Sequence, residues 1–210
     1  LVTDPDRKSV IADLAENQPF IKDAALFALV CADLSRLQKV NQLTGREFEL
    51  GHYFESTLLA IVDASLSAQV AAITAESLGY GVCMIGGVRA NPEEIARECQ
   101  LPSLVMPLFG LAIGVAVERN SPKPRIPYSG IVFREVYDQT ERDAAIKAYD
   151  KTMGDTGIYA GRPAFADEFG SANGHYGWIE HTSRRTSLKR PSKLRSFLRK
   201  VFEGRGFSFR

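Results

Sequence analysis

Hydrophobic and polar positions recur with different periods along the chain, and the periods predict helices and strands. The longest helical pattern spans residues 47–78, where large apolar side chains recur about every 3.6 residues and small residues line the opposite side. The large residues are Phe54, Leu58, Ile61, Val62, Leu66, Val70 and Ile73. Such a helix packs closely on both faces. It is predicted to form the centre of a dimer or, alternatively, the central helix of a monomer.

Other apolar segments predict the remaining elements. Continuous apolar runs of strand length are typical of buried strands. The predicted strands are residues 24–32, interpreted as a central strand buried on both faces, 80–85, 105–117 and 131–137. Shorter helices are predicted at residues 4–16, 91–99, 138–152 and 192–203. Residues 154–177 have no clear period and are predicted to form a ligand-covering loop. The alternation of helices and strands indicates an α/β or α+β fold with a buried central sheet.

Length and composition indicate a globular protein. The chain has 210 residues, of which 45% are hydrophobic and 24% charged. These values exclude intrinsic disorder, collagen-like repeats and a disulfide scaffold. Its apolar runs are too short or too interrupted by Gly and Pro to predict a membrane span, and its polar start predicts no signal peptide. A cytoplasmic protein is therefore expected.

Charge is distributed unevenly, although the formal net charge is only +1. Residues 182–210 contain ten Lys and Arg but one acidic residue, Glu203. The first 181 residues contain 24 acidic and 16 basic side chains. This asymmetry predicts an anionic partner, or an acidic surface that the basic tail covers.

Cysteines, histidines and motifs exclude several classes of site. Three widely spaced cysteines, Cys31, Cys83 and Cys99, are predicted to be free buried thiols in a reducing cytoplasm. The histidines have no metal-ligand spacing with them, so no metal site is predicted. No motif of a serine hydrolase, zinc protease, P-loop NTPase or standard Rossmann dehydrogenase occurs.

Two short segments have candidate binding chemistry. The predicted strand at residues 80–85 ends in Gly86-Gly87, where backbone N–H groups are exposed and the absence of Cβ atoms lets a flat ring approach. Lys123-Pro124-Arg125 holds two cations on a stiff extended loop, and guanidinium groups match phosphate oxygens. Each segment alone is more often structural than functional.

Together with their surroundings, these segments resemble the nitroreductase superfamily, in particular its branch of NADPH-dependent oxygen-insensitive nitroreductases and flavin reductases. The stretches that carry the resemblance are Ala75-Glu-Ser-Leu-Gly-Tyr-Gly, Ile85-Gly-Gly-Val-Arg, Leu101-Pro, Pro107-Leu-Phe-Gly-Leu and Lys123-Pro-Arg-Ile-Pro. They recur in the branch's order between about Val2 and Tyr137, with a looser match at Ser183-Arg-Arg-Thr and Arg190-Pro. The resemblance is specific because several motifs keep this order over most of the chain.

The resemblance implies a nitroreductase-like α+β fold over residues 1–210, with an antiparallel or mixed central sheet flanked by helices. It implies a cytoplasmic homodimer in which the helix predicted at residues 47–78 lies at the interface. Residues 182–210 would form a basic extension over the partner subunit. It implies FMN as cofactor, held at the subunit interface, NADPH or NADH as hydride donor, and ping-pong transfer through flavin N5. The acceptor would be a nitroaromatic, a quinone or a flavin.

Site residues follow by position from the same resemblance. The residues expected to bind the cofactor are Gln18, Met84, Ile85, Gly86, Gly87, Lys123, Pro124 and Arg125. Lys123 and Arg125 would hold the FMN phosphate, and a Gly86 N–H would lie near N5. Arg89 would face substrate, and Arg190 would bind the 2′-phosphate of NADPH. No side chain is assigned as a catalytic acid or base, since the flavin carries the chemistry.

Departures from the branch pattern leave other interpretations open. Its N-terminal His-Arg-Ser-x-Arg motif does not occur in residues 1–16, so about 45–50 preceding residues are expected to be missing. Phe169 and His175 stand where the branch has basic residues near NADPH. One alternative is a truncated or diverged dimer that binds flavin weakly or not at all. Another is an anionic-polymer binder that uses the basic tail, with its phenylalanines stacking on bases, although nucleic acid is an unlikely partner.

Overall fold

The computed structural model describes residues 1–118, 121–161, 163–170, 176–187 and 195–210. Contacts divide the chain into two compact units. Unit 1 comprises Leu1–Arg119 and Arg195–Arg210, and unit 2 comprises Asn120–Leu194. The single domain expected over residues 1–210 stays a prediction.

Unit 1 is built on a three-stranded antiparallel sheet. Its strands are β1 (Leu26–Asp33), β2 (Gly81–Ile85) and β3 (Val105–Gly114), in the order β1-β3-β2. An antiparallel sheet flanked by helices confirms the α+β class.

The position of β1 in the sheet differs from the prediction, which was wrong on this point. The structure places β3 in the centre and β1 at the edge of the described sheet. Val2 forms an isolated antiparallel bridge on the outer side of β1, with its N–H 2.7 Å from the Phe27 carbonyl oxygen. A continuous apolar run does not tell a central strand from an edge strand. Helices and Val2 cover parts of β1, and they bury its apolar residues as a neighbouring strand would.

Helices surround the sheet and fill unit 2. They are α1 Pro5–Leu14, α2 Pro19–Asp23, α3 Ser35–Leu43, α4 Phe54–Ser77, α5 Pro92–Glu98, α6 Gln139–Asp155, α7 Ala166–Phe169, α8 Trp178–Thr186 and α9 Leu198–Gly204. The predictions of α1, α4, α5 and α6 are confirmed. The predicted tail helix is confirmed from Leu198 onward, whereas residues 195–197 form a turn. The sequence pattern did not predict α2, α3, α7 and α8.

The long helix α4 turns its small residues inward and its large ones outward. Ala60, Ala68, Ala72 and Ala75 are buried, and α4 packs against all three strands. Leu66 and Val70 remain 64% and 66% exposed. By length and composition alone, α4 could also cross a membrane, since its most apolar window has a mean hydropathy of 1.7. The large-residue face of α4 is therefore unpartnered within the described residues.

Residues 195–210 pack against the rest of unit 1. Arg205 donates to the carbonyl oxygens of Leu101 (3.0 Å), Pro102 and Val105. The Thr57 hydroxyl in α4 donates to the Ser208 carbonyl oxygen at 2.9 Å. The Phe54 N–H, at the start of α4, donates to the Arg210 carbonyl oxygen at 3.1 Å. The last contact explains why α4 starts at Phe54 rather than near residue 47, because its first N–H groups have no acceptor within the helix.

The tail phenylalanines belong to the apolar core of unit 1. Phe202 and Phe207 are 7% and 3% exposed, and their rings meet edge to face at 5.3 Å. Phe209 packs against Phe202 and stacks on Phe54. Buried rings have no free face for a base, so the suggestion that Phe202 and Phe207 stack on nucleic acid is wrong.

Unit 2 pairs α6 with α8. The Tyr149 and Trp178 rings meet edge to face at 5.2 Å, so the only tryptophan is a packing residue. Ile131 and Val136 are exposed, and the strand predicted at residues 131–137 is replaced by bends after the 3-10 turn Tyr128–Gly130. The prediction of that strand was wrong because a β-favouring sequence needs a neighbouring strand to pair with, and the described part of unit 2 contains none.

Candidate functional site

The Gly-rich segment forms a 3-10 turn, Gly86–Arg89, directly after β2. Ile85 is the last residue of β2 and is buried in the core, whereas the Met84 side chain is 52% exposed. Gly87 and Val88 are buried and Gly86 is half-buried. Of the predicted cofactor residues at this turn, only Met84 and Gly86 therefore present atoms to a ligand.

Gly87 lies against the end of α1. A methyl group added at Gly87 would overlap the carbonyl oxygen of Ala15 and would lie 3.4 Å from Cγ of Gln18. This contact brings Gln18 to the turn, as its predicted role requires. The same contact explains why residue 87 is glycine, because a side chain there would clash with Ala15. A flat ring was expected to approach both glycines, but the structure leaves space for it only at Gly86.

The two glycines should therefore respond differently to alanine. We expect Gly87→Ala to lower the free energy of unfolding by about 2 kcal/mol, the usual range for overpacking, because backbone on both sides must shift. In a chain of this size that corresponds to a Tm lower by roughly 4–8 °C. A methyl group at Gly86 would meet only the Arg89 guanidinium, 3.1 Å away. Gly86→Ala is thus the matched control, and equal Tm values for the two variants would contradict this assignment.

Arg89 folds back over Gly86. Its Nη1 donates to the Leu108 carbonyl oxygen, and no ion pair of Arg89 occurs within the described residues. Burial, and then the charge of Arg195, lower the pKa of the Arg89 guanidinium. Because both guanidinium groups are positively charged and Arg89 is half-buried, an anion bound near Arg89 would be stabilised.

Arg195 is the functional candidate that the sequence analysis missed. Its Nη2 lies 3.1 Å from Oε2 of Glu16, at the end of α1. Arg190, which was predicted for the NADPH phosphate, lies outside the described residues, as does His175. The tail has ten basic residues, and among the described ones Arg195 is the one whose ion pair lies at the end of α1, beside Gly87.

The predicted phosphate ligands lie in unit 2. Lys123 and Arg125 are exposed and alternate with half-buried Pro124. The Pro124 carbonyl oxygen lies 3.4 Å from the Tyr149 hydroxyl in α6, within hydrogen-bonding distance. Because neighbouring side chains in extended backbone point to opposite sides, a half-buried Pro124 leaves both cations on the solvent side, where neither forms an ion pair with a described residue.

A second charged cluster, centred on Arg184 in α8, joins α8 to α7 and the residues next to it. Arg184 is 3% exposed and donates to Glu180 at 2.7 Å and to the Gly170 carbonyl oxygen at 2.8 Å. Its guanidinium lies over the rings of Phe169 (5.6 Å) and Tyr176 (5.3 Å). Phe169, which stands where the branch has an arginine, therefore packs on Arg184.

The cysteines are free in the structure, as predicted, but half-buried rather than fully buried. Burial raises the pKa of Cys31 to about 12 and also raises that of Cys99. These thiols are therefore protonated at neutral pH and are poor nucleophiles.

Comparison with known proteins agrees with this fold. The model of the C-terminal domain of the nitroreductase family matches residues 123–210. An FMN reductase [NAD(P)H] of Bacillus subtilis is 40% identical over 154 residues, and a Cr(VI) reductase of a Pseudomonas species is 38% identical over 152 residues. Each alignment covers 72% of this chain and 62% of the relative, so the chain spans less than two thirds of their length.

A solved structure matches over the whole chain. The NfrA1 nitroreductase of B. subtilis superposes with a TM-score of 0.85 at 30% identity, covering 100% of this chain and 81% of that protein. On its sequence and on its fold, the chain belongs to the nitroreductase family.

Proposed function

We propose that the chain is an FMN-dependent NAD(P)H oxidoreductase that reduces nitroaromatics, quinones or free flavin. The observation that carries the proposal is the Gly86–Arg89 turn, with an open backbone position next to Gln18 and two guanidinium groups. Relatives named as an FMN reductase, a Cr(VI) reductase and a nitroreductase support it. When bound, FMN supplies hydride transfer through its N5 atom, so no side chain of the enzyme needs to act as acid or base.

The chain's own residues suit a flavin. Gly86 leaves room for a planar ring, because its nearest side-chain neighbour is the flexible end of Arg89. N–H groups at the start of a helical turn have no acceptor inside it, so Gly86 can donate to an electron-rich ring atom and favour the reduced cofactor. Gln18 would hydrogen-bond the ring system, Met84 would pack on it, and Lys123 and Arg125 would bind its phosphate.

NADPH is the hydride donor that the charges favour. Arg89 is a cation of the turn and Arg195 pairs with Glu16 at the end of α1, and among the described residues Glu16 is the one carboxylate that forms an ion pair with either of them. A 2′-phosphate would supply the missing negative charge, which NADH lacks. Arg195 would bind this phosphate, and Arg190, which the resemblance assigns to it, lies outside the described residues.

We also propose a cytoplasmic homodimer formed through α4. Its outward face carries Leu59, Val62, Leu66, Val70 and Ile73, all more than 40% exposed. A contiguous apolar face of this kind marks an interaction site. A second copy fits it because two identical faces bury each other in a two-fold arrangement.

The visible absorption spectrum of the purified protein tests the cofactor and the reaction together. We expect flavin bands that co-purify or appear on adding FMN, and that bleach with NADPH under anaerobic conditions. NADH should bleach them more slowly at equal concentration. A protein that stays colourless in excess FMN would overturn the proposed function and leave the diverged, flavin-free dimer.

A further inference from the structure

The charges at the Gly86–Arg89 turn do not balance. Within the described part of the chain, the Arg89 guanidinium has a carbonyl oxygen and no carboxylate as partner, and Arg195 pairs with Glu16 at 3.1 Å. The Arg195 side chain is 28% exposed and that of Glu16 is 56% exposed. An incoming anion can therefore reach Arg195 from solvent, but it meets the Glu16 carboxylate on the same guanidinium.

Glu16 is held in place by an unusual backbone. Both Glu16 and Asn17 have positive φ angles, 65° and 54°. Asn tolerates this left-handed conformation, but Glu does so only with strain. Glycine would remove the strain at residue 16, so the presence of a carboxylate there suggests a role for the side chain.

Packing fixes the turn that carries Glu16. The Gln18 N–H donates to the Ala12 carbonyl oxygen at 3.0 Å, and Asn91 Nδ2 donates to that of Leu14 at 2.7 Å. Gly87 lies against Ala15. The end of α1 is thus joined to the Gly86–Arg89 turn, and Glu16 cannot move away from Arg195 by a shift of the helix.

We infer that Glu16 is an internal competitor for Arg195: its carboxylate occupies the guanidinium until a phosphate group of the nicotinamide cofactor displaces it. Glu16 is thereby a specificity-determining residue that weakens binding of the 2′-phosphorylated cofactor and leaves the non-phosphorylated one unaffected. This inference rests on the proposed function, because it takes the displacing anion to be the 2′-phosphate of NADPH.

The test is the affinity of the whole protein for adenosine 2′,5′-bisphosphate, with 5′-AMP as the probe that lacks the 2′-phosphate. We expect Glu16→Gln to bind the bisphosphate about two- to fivefold more tightly, the strength of an exposed ion pair, and to bind 5′-AMP as before. In steady state, KM for NADPH should fall with kcat unchanged. An unchanged or weaker affinity for the bisphosphate would overturn the inference.

Two comparisons separate competition from a general charge effect. Glu98→Gln removes a carboxylate that pairs with Arg7 at 3.0 Å, and it should leave both affinities unchanged. In an Arg195→Ala background, Glu16→Gln should no longer alter binding, since competition requires the shared guanidinium. If Glu16→Gln still tightens bisphosphate binding in the Arg195→Ala protein, Glu16 acts only by long-range charge repulsion of the ligand, and the inference fails.

A second variant and a second readout complete the experiment. Glu16→Gly should raise Tm by relieving the backbone strain and should tighten bisphosphate binding as Glu16→Gln does. Failure of every form to bind the bisphosphate would overturn the inference. Flavin bands that bleach with NADPH in the same preparation would then show that the proposed function stands without it.

Discussion

Replacing Lys123 and Arg125 together by alanine should lower the affinity for FMN by about 100-fold or more. Each charge-assisted hydrogen bond to a phosphate contributes about 1.5–3 kcal/mol, and about 1.4 kcal/mol corresponds to a factor of ten. Both side chains are exposed, and neither has a competing ion pair among the described residues. Their full charge is therefore free for a phosphate.

Pro124 explains why two separate cations should act as one ligand. The backbone around it is stiffened by Pro122, Pro124 and Pro127, and the Pro124 carbonyl oxygen faces the Tyr149 hydroxyl. A rigid segment loses little conformational entropy when it binds. Replacing Tyr149 by Phe should consequently weaken FMN binding much less than the double replacement, because the cations remain.

The measurement is an FMN titration of the apoprotein followed by flavin fluorescence, with flavin content after purification as a second reading. Lys147→Ala with Lys151→Ala is the matched control, since it removes two exposed positive charges from α6 in the same unit. We expect the control to bind FMN as the unmodified protein does. Normal flavin content in the Lys123→Ala, Arg125→Ala protein would contradict the phosphate assignment.

The sequence predicted those elements whose pattern is long or continuous. The 3.6-residue period defines α4, and apolar runs define β2 and β3. The sequence also predicted which side of α4 carries the small residues, and in the structure that side is buried against the sheet. Helices α3 and α8 were missed because each has only nine residues and a mostly polar sequence, and among their described residues only Arg184 is buried.

The candidate site shows where local pattern stops being informative. Gly86 and Gly87 are neighbours in sequence, yet the end of α1 presses on one and only a flexible side chain approaches the other. Arg195 looks like the other tail cations, ten in all, and its place in the sequence does not tell that it pairs with Glu16 at the end of α1. Both distinctions depend on contacts between distant segments, which a single sequence does not encode locally.

Two aspartates on the outer face of α4 should dissociate the proposed dimer. We expect Leu66→Asp with Val70→Asp to raise the dimer dissociation constant by about 1,000-fold or more, because central interface residues contribute about 2 kcal/mol or more each and two-fold symmetry doubles the change. The carboxylates would also be buried without partners. Sedimentation velocity at several protein concentrations measures this directly.

The matched control uses the same residue types on another helix. Val40→Asp with Leu43→Asp changes an exposed valine and an exposed leucine on α3, and it should leave the dimer intact. Because the resemblance implies FMN at the subunit interface, the α4 variant should also lose flavin as it dissociates. A wild-type protein that is monomeric at all concentrations would contradict the dimer.

The same experiment distinguishes a partner helix from a membrane around α4. A helix that crosses a bilayer presents apolar side chains on all sides that lipid contacts, but α4 is fixed to the sheet along its small-residue side. On that side Thr57 is buried and donates to the Ser208 carbonyl oxygen. Only the face with the large apolar residues is left exposed, and a second copy of α4 could cover it. If the Leu66→Asp, Val70→Asp protein became monomeric and remained soluble without detergent, the mean hydropathy of α4 would be explained by dimerisation alone.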